Sequence, residues 1–107
     1  MTVTLTRGDK GFDLNFQVLQ SNGKTPIDIS TATVKFKMMP KGASENKVDA
    51  ECTLVDGGST GKCKYTVLAA DLDTVGSYEA ELEVSFTADK LLTAGLGMFE
   101  IEEDLPE

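Results

Sequence analysis

The sequence predicts an all-β fold, an antiparallel sandwich of about seven strands. Apolar residues recur at every second position in run after run, the pattern of strands buried on one face. Turn residues interrupt the runs about every ten residues. Only Leu68-Ala69-Ala70-Asp71-Leu72 has helical character, and at about one turn it reads as a connector between strands.

The runs are justified in chain order. Val3 and Leu5 alternate with Thr, and Phe12, Leu14, Phe16 and Val18 form a second run. Val34, Phe36 and Met38 form a third, with Lys35 and Lys37 on the opposite phase. Val48, Ala50, Cys52 and Leu54 form a fourth, and Cys63, Tyr65 and Val67 a fifth. Tyr78, Ala80, Leu82, Val84 and Phe86 form a sixth, opposed by Glu79, Glu81 and Glu83. A last strand starts at Leu91-Leu92, and a bulge at Gly95 and Gly97 is needed to bring Phe99 and Ile101 inward. Between the runs, Arg7-Gly8-Asp9, Ser21-Asn22-Gly23-Lys24, Pro40-Lys41-Gly42 and Asp56-Gly57-Gly58-Ser59 supply residues that reverse the chain. The sandwich is expected over residues 1–101, and 102–107 reads as an acidic tail leaving the surface.

A chain of 107 residues supports one hydrophobic core. Ten Lys and Arg against eighteen Asp and Glu give a formal charge of −8. That sign argues against nucleic acid and against an anionic membrane surface, because both are bound by replacing counterions with Lys and Arg. No apolar run approaches the roughly 20 residues of a membrane helix, and the N-terminus lacks the apolar stretch of a secretory signal. The expected place of synthesis is a cytoplasm.

Asp71-Leu72-Asp73-Thr74-Val75-Gly76-Ser77-Tyr78 has the pattern of a tyrosine corner, in which a ring packs at the sandwich edge and its hydroxyl bonds upstream backbone. This makes the expected sandwich immunoglobulin-like. An antibody domain carries a Cys two residues after that Tyr, whereas here the residue is Ala80, so the inter-sheet disulfide is absent. The same segment offers Asp71 and Asp73 as metal ligands, but it lacks the spacing of a calcium loop. Cys52 and Cys63 flank the hairpin turn on the apolar phase, where they read as buried thiols or as a disulfide. Arg7-Gly8-Asp9 is a tripeptide that integrins recognise and equally an ordinary turn. If the third and sixth strands pair, as they do in an immunoglobulin sandwich, Lys35 and Lys37 face Glu79, Glu81 and Glu83, as a charge ladder or as a partner-facing surface.

Catalytic chemistry is not expected. With no His there is no Ser-His-Asp or Cys-His arrangement, and no glycine-rich phosphate loop is present. No catalytic, cofactor-binding or metal-binding residue is assigned, and no cofactor.

The segments Thr4-Leu5-Thr6-Arg7-Gly8-Asp9, Phe16-Gln17-Val18-Leu19, Ile27-Asp28-Ile29-Ser30, Ala32-Thr33-Val34-Lys35-Phe36-Lys37-Met38, Tyr65-Thr66-Val67 and Gly76-Ser77-Tyr78-Glu79-Ala80-Glu81-Leu82-Glu83-Val84 together resemble a known family. It is the N-terminal immunoglobulin-like domain of phage baseplate upper proteins, and the resemblance spans about residues 2–101. It implies a non-catalytic structural module of a phage tail or baseplate. Such a module is made in the host cytoplasm, assembled into the virion, and docked to other phage structural proteins, with a homo-oligomer in the particle. In that family a receptor-binding module follows the domain. Here the sequence stops soon after it, which leaves open a standalone subunit, a truncated prophage product or an excised domain. The alternative is a carbohydrate-binding or adhesion module of the same fold. Seven aromatic residues, none of them Trp and most on the inward phase, weigh against a sugar platform. The edges offered for docking are the strand near Val3–Leu5 and the strand near Phe99–Ile101.

Overall fold

The computed structural model describes residues 2–20, 22–87 and 89–103. Eight strands form two packed sheets: β1 (Thr2–Thr6), β2 (Asp13–Gln17), β3 (Thr33–Pro40), β4 (Val48–Glu51), β5 (Thr53–Leu54), β6 (Lys62–Thr66), β7 (Gly76–Thr87) and β8 (Lys90–Glu102). One sheet has the order β1-β8-β7-β3-β4 and the other β2-β6-β5. Neighbours run antiparallel except β1 and β8, which pair in parallel. The expected connector is a 3-10 turn, Ala69–Leu72, and a second lies at Asp56–Gly58.

The eighth strand arises because the fourth run divides. Val48, Ala50, Cys52 and Leu54 keep their inward phase throughout, but β4 pairs with β3 while β5 pairs with β6. The last bond to the first sheet is Cys52 N–H to the Val34 carbonyl at 2.7 Å. From Thr53 the chain belongs to the second sheet. The inner faces of both sheets line one core, so the alternation does not register the crossing.

The bulge in β8 falls at the expected glycines. Ala80 pairs with Gly97 and Glu81 with Gly95, leaving Leu96 as the extra residue. Gly97 takes φ 80°, a conformation costly for side-chain-bearing residues. The inserted residue changes the parity. Leu92 and Ala94 lean on the core before it, and Phe99 and Ile101, each 2% exposed, fill the core after it.

Phe36 sits at the centre of the core. Its ring stacks on Phe16 at 5.7 Å and on Tyr65 at 5.2 Å, both from the smaller sheet, and meets Phe99 of its own sheet at 5.8 Å. The tyrosine corner is present: Tyr78 is buried and its hydroxyl donates to the Thr74 carbonyl at 2.7 Å. Gly61 closes the turn before β6 where the chain crossing between the sheets passes overhead. A side chain there would meet the Val18 and Ile27 carbonyl oxygens at 2.5 and 2.8 Å, and φ is 75°.

Replacing Phe36 with Ala is expected to cost about 3–5 kcal/mol. Tyr78→Phe, which removes only the corner hydrogen bond, is expected to cost about 1 kcal/mol. Urea unfolding of the two variants checks both values.

Candidate functional site

Asp71 and Asp73, the two carboxylates weighed as metal ligands, are engaged in holding the fold. Asp71 accepts from the Tyr65 hydroxyl at 2.5 Å and from the Leu68 N–H at 2.9 Å, so it caps the 3-10 turn and anchors a core tyrosine. Asp73 turns the other way, to the Lys47 ammonium and the Thr74 hydroxyl. The two carboxylates therefore do not converge, and no group of three or more His, Cys, Asp or Glu is placed to hold a metal among the described residues. Cys52 and Cys63 are free and buried. The hydrogen bond with Cys63, and then burial, push the Cys52 thiol well above its ordinary value, which keeps it protonated.

Arg7-Gly8-Asp9 is built into the connection after β1. Gly8 N–H donates to the Leu72 carbonyl at 2.9 Å, and Arg7 Nη1 lies 3.1 Å from Glu103 Oε1. The acidic segment thus begins inside the fold, with Glu102 in β8 and Glu103 paired to Arg7. Residues 104–107 of the expected tail lie outside the described residues.

One expected edge is corrected. β1 is an edge, but β8 is not: it is bonded on one side to β1 and on the other to β7. The parallel docking of β1 covers the side of β8 that would otherwise be open. The remaining edges are β4 in the larger sheet and β2 and β5 in the smaller one. β5 has only two residues, and β4 carries Asp49 and Glu51, features that discourage uncontrolled strand pairing.

The charge ladder forms on the outer face of the larger sheet, but along diagonals. Lys35 stands opposite Glu83 and Lys37 opposite Glu81. The close contact is nonetheless Lys37 Nζ to Glu83 Oε2 at 2.6 Å, and Lys35 reaches Asp49 of β4 at 3.9 Å. Long side chains reach diagonal neighbours across strands. The hydrogen bond that the Lys37 ammonium donates to Glu83 holds it above its ordinary pKa. Among the described residues no cation comes within ion-pair distance of Glu79 or Glu81.

Next to those two carboxylates lies a groove of about 510 Å3, lined by Met39, Met98, Glu79, Glu81, Lys37 and Asn46 among others. Sequence patterning missed it. The available signal was two methionines on the outward phase, each beside an inward core residue: Met39 beside Met38, and Met98 beside Phe99. Every aromatic ring is buried or half-buried, and Lys90 Nζ stands 4.8 Å above the Phe86 ring.

Two sheets joined through an aromatic core, a tyrosine corner, and an outer face bearing charges and a groove define an immunoglobulin-like β-sandwich domain. The family model for the BppU N-terminal domain matches residues 2–105, and the chain belongs to that family, the N-terminal domains of phage baseplate upper proteins. It is a family of phage baseplate structural domains. Among solved structures the chain is similar to the N-terminal domain of phage TP901-1 ORF48. The TM-score is 0.68 and the identity 18%, over 95% of this chain and 85% of that one. No curated protein matches the sequence.

Stability should depend on pH at both ends. Asp13, which accepts from the Thr66 hydroxyl, and Asp73, which faces Lys47, are both held below the ordinary carboxylate value. A depressed folded-state pKa contributes stability that is present above the unfolded value and lost as pH falls through the folded one. Burial, and then the bond to Asp71, push the Tyr65 phenol up, so its contribution is present below its unfolded value and lost as pH rises. The urea midpoint is expected to hold between about pH 4 and pH 10 and to fall outside that window. Asp13→Asn with Asp73→Asn should flatten the acid limb, and Tyr65→Phe the alkaline limb.

Proposed function

We propose that this domain is a non-catalytic docking module of a phage tail baseplate, assembled into the virion after synthesis in the host cytoplasm. The observation that carries the reading is the family match over residues 2–105. The fold supports it physically. Two sheets pinned by stacked rings hold the outer faces and the edge strands in fixed relation, so a neighbouring subunit meets a preformed surface and loses little entropy in ordering it. Other phage structural proteins are the partners in this reading, and copies of the domain are arranged by the particle's symmetry. The charge of −8 disfavours nucleic acid and anionic membrane as partners. The carbohydrate-binding alternative would need an exposed ring on which a sugar could stack, and the described aromatic residues are turned toward the core or half covered.

Electron microscopy of particles from the source phage, labelled with a gold-conjugated antibody against this chain, tests the reading. Label is expected at the tail tip. Particles without label, from cells in which the protein is detected, would remove the virion assignment.

A further inference from the structure

We infer that the groove on the outer face of the larger sheet is the docking site, and that its occupant is an extended basic segment of a neighbouring subunit carrying apolar side chains between its Lys or Arg residues. The inference rests on the docking role proposed above and names the face and the chemistry of its partner.

Three observations converge on this face. The first is shape. The groove lies over β3, β7 and β8, bordered by the β3–β4 loop at Asn46. Two strand spacings amount to about 10 Å, the room one extended segment occupies against a sheet. Met39 and Met98 line it, both half-buried, and methionine adapts to apolar side chains of varied shape.

The second is charge. Asp49, Glu51, Glu79, Glu81, Glu83, Glu100 and Glu102 share the outer face of these strands with two lysines, Lys35 and Lys37. Those lysines are turned to Asp49 and Glu83. Glu79 and Glu81, which border the groove, have no cation within ion-pair distance among the described residues; Lys37, opposite Glu81, acts on it only at longer range, and both carboxylates can take an incoming cation. A second copy presenting the same face would bring like charges together, so the complementary partner is basic and is a different surface.

The third is Gly95. It stands directly opposite Glu81 on the outward phase, in the interior of a long strand where glycine is unfavourable. A side chain there would meet no atom within 4 Å, and its φ lies outside the left-handed region. Neither conformation nor packing within the chain requires glycine at this position. Gly95 flanks the bulge at Leu96, and the open space above it admits close approach of another backbone.

The test titrates the isotope-labelled full chain, at low salt, with a short synthetic peptide of alternating Lys and Leu, and separately with one of alternating Glu and Leu. Amide shifts at Met39, Glu79, Glu81 and Met98 are expected with the first peptide and not with the second. Gly95→Val leaves net charge untouched, and is expected to weaken that binding about tenfold without lowering the melting temperature. Glu79→Lys with Glu81→Lys should abolish it. Equal response to the two peptides, shifts centred elsewhere, or full affinity in Gly95→Val would each overturn the site.

Incorporation into particles separates this inference from the reading beneath it. Exclusion of the double charge variant from particles that take up the parent supports the site. Equal uptake removes the face and keeps the virion role. Absence of the parent from particles removes the virion role, and the peptide titration still decides the groove.

Discussion

The contact of Phe36 with rings from the facing sheet is the interaction on which the rest of this structure depends. A sandwich has no hydrogen bonds between its sheets, so their separation and relative angle are set by what the inner faces bury. Antibody domains fix that distance with a disulfide packed on a tryptophan. Here the sequence has no Trp and carries Ala80 where the cysteine would stand. Phe36 on β3 takes over the inter-sheet contact by stacking on Phe16 and Tyr65. Aromatic pairs in such geometry contribute about 0.5–1.5 kcal/mol each beyond the area they bury. Tyr65 is in turn tied by its hydroxyl to Asp71, so the central contact extends to the 3-10 turn leading into β7. A carboxylate that looks chemically available in the sequence is thereby a strut.

Two irregularities let one core serve both sheets. The crossing at Cys52 moves the chain from one sheet to the other without changing which side chains face inward. The bulge at Leu96 does the reverse: it keeps β8 in one sheet and shifts the parity of its inward residues. Both leave backbone groups paired on either side, so each costs little while permitting Phe99 and Ile101 to close the core.

The outer face of the larger sheet contributes little to stability. Ion pairs such as Lys37–Glu83 are worth at most about 1 kcal/mol at an exposed surface. Seven carboxylates against two lysines on one face do not serve stability, since like charges close together oppose it. The same face carries the half-buried Met39 and Met98 and the open position at Gly95. Packing within the chain accounts for none of these features, and all of them fit the basic partner inferred above.

Strand phase was legible in the sequence because a strand buried on one face imposes a period of two, and residues such as Val34, Phe36 and Met38 obey it. The tyrosine corner and the bulge were legible for a related reason: each rests on a local signal, a Gly-x-Tyr step or a glycine pair. The sheet crossing at Cys52, the interior position of β8 and the diagonal course of the ion pairs were not. Each depends on which strand lies alongside, and hydrogen-bond partners distant in sequence leave no mark on the alternation. The groove was hidden for the same reason, since Met39 and Met98 lie in strands far apart in the chain and come to flank Glu79 only after β7 has aligned β3 with β8. The sequence by itself determined which residues face the core, because burial acts on each residue singly. The tertiary structure alone decided the edges, the ion-pair partners and the groove on the outer face, because those are properties of pairs of strands.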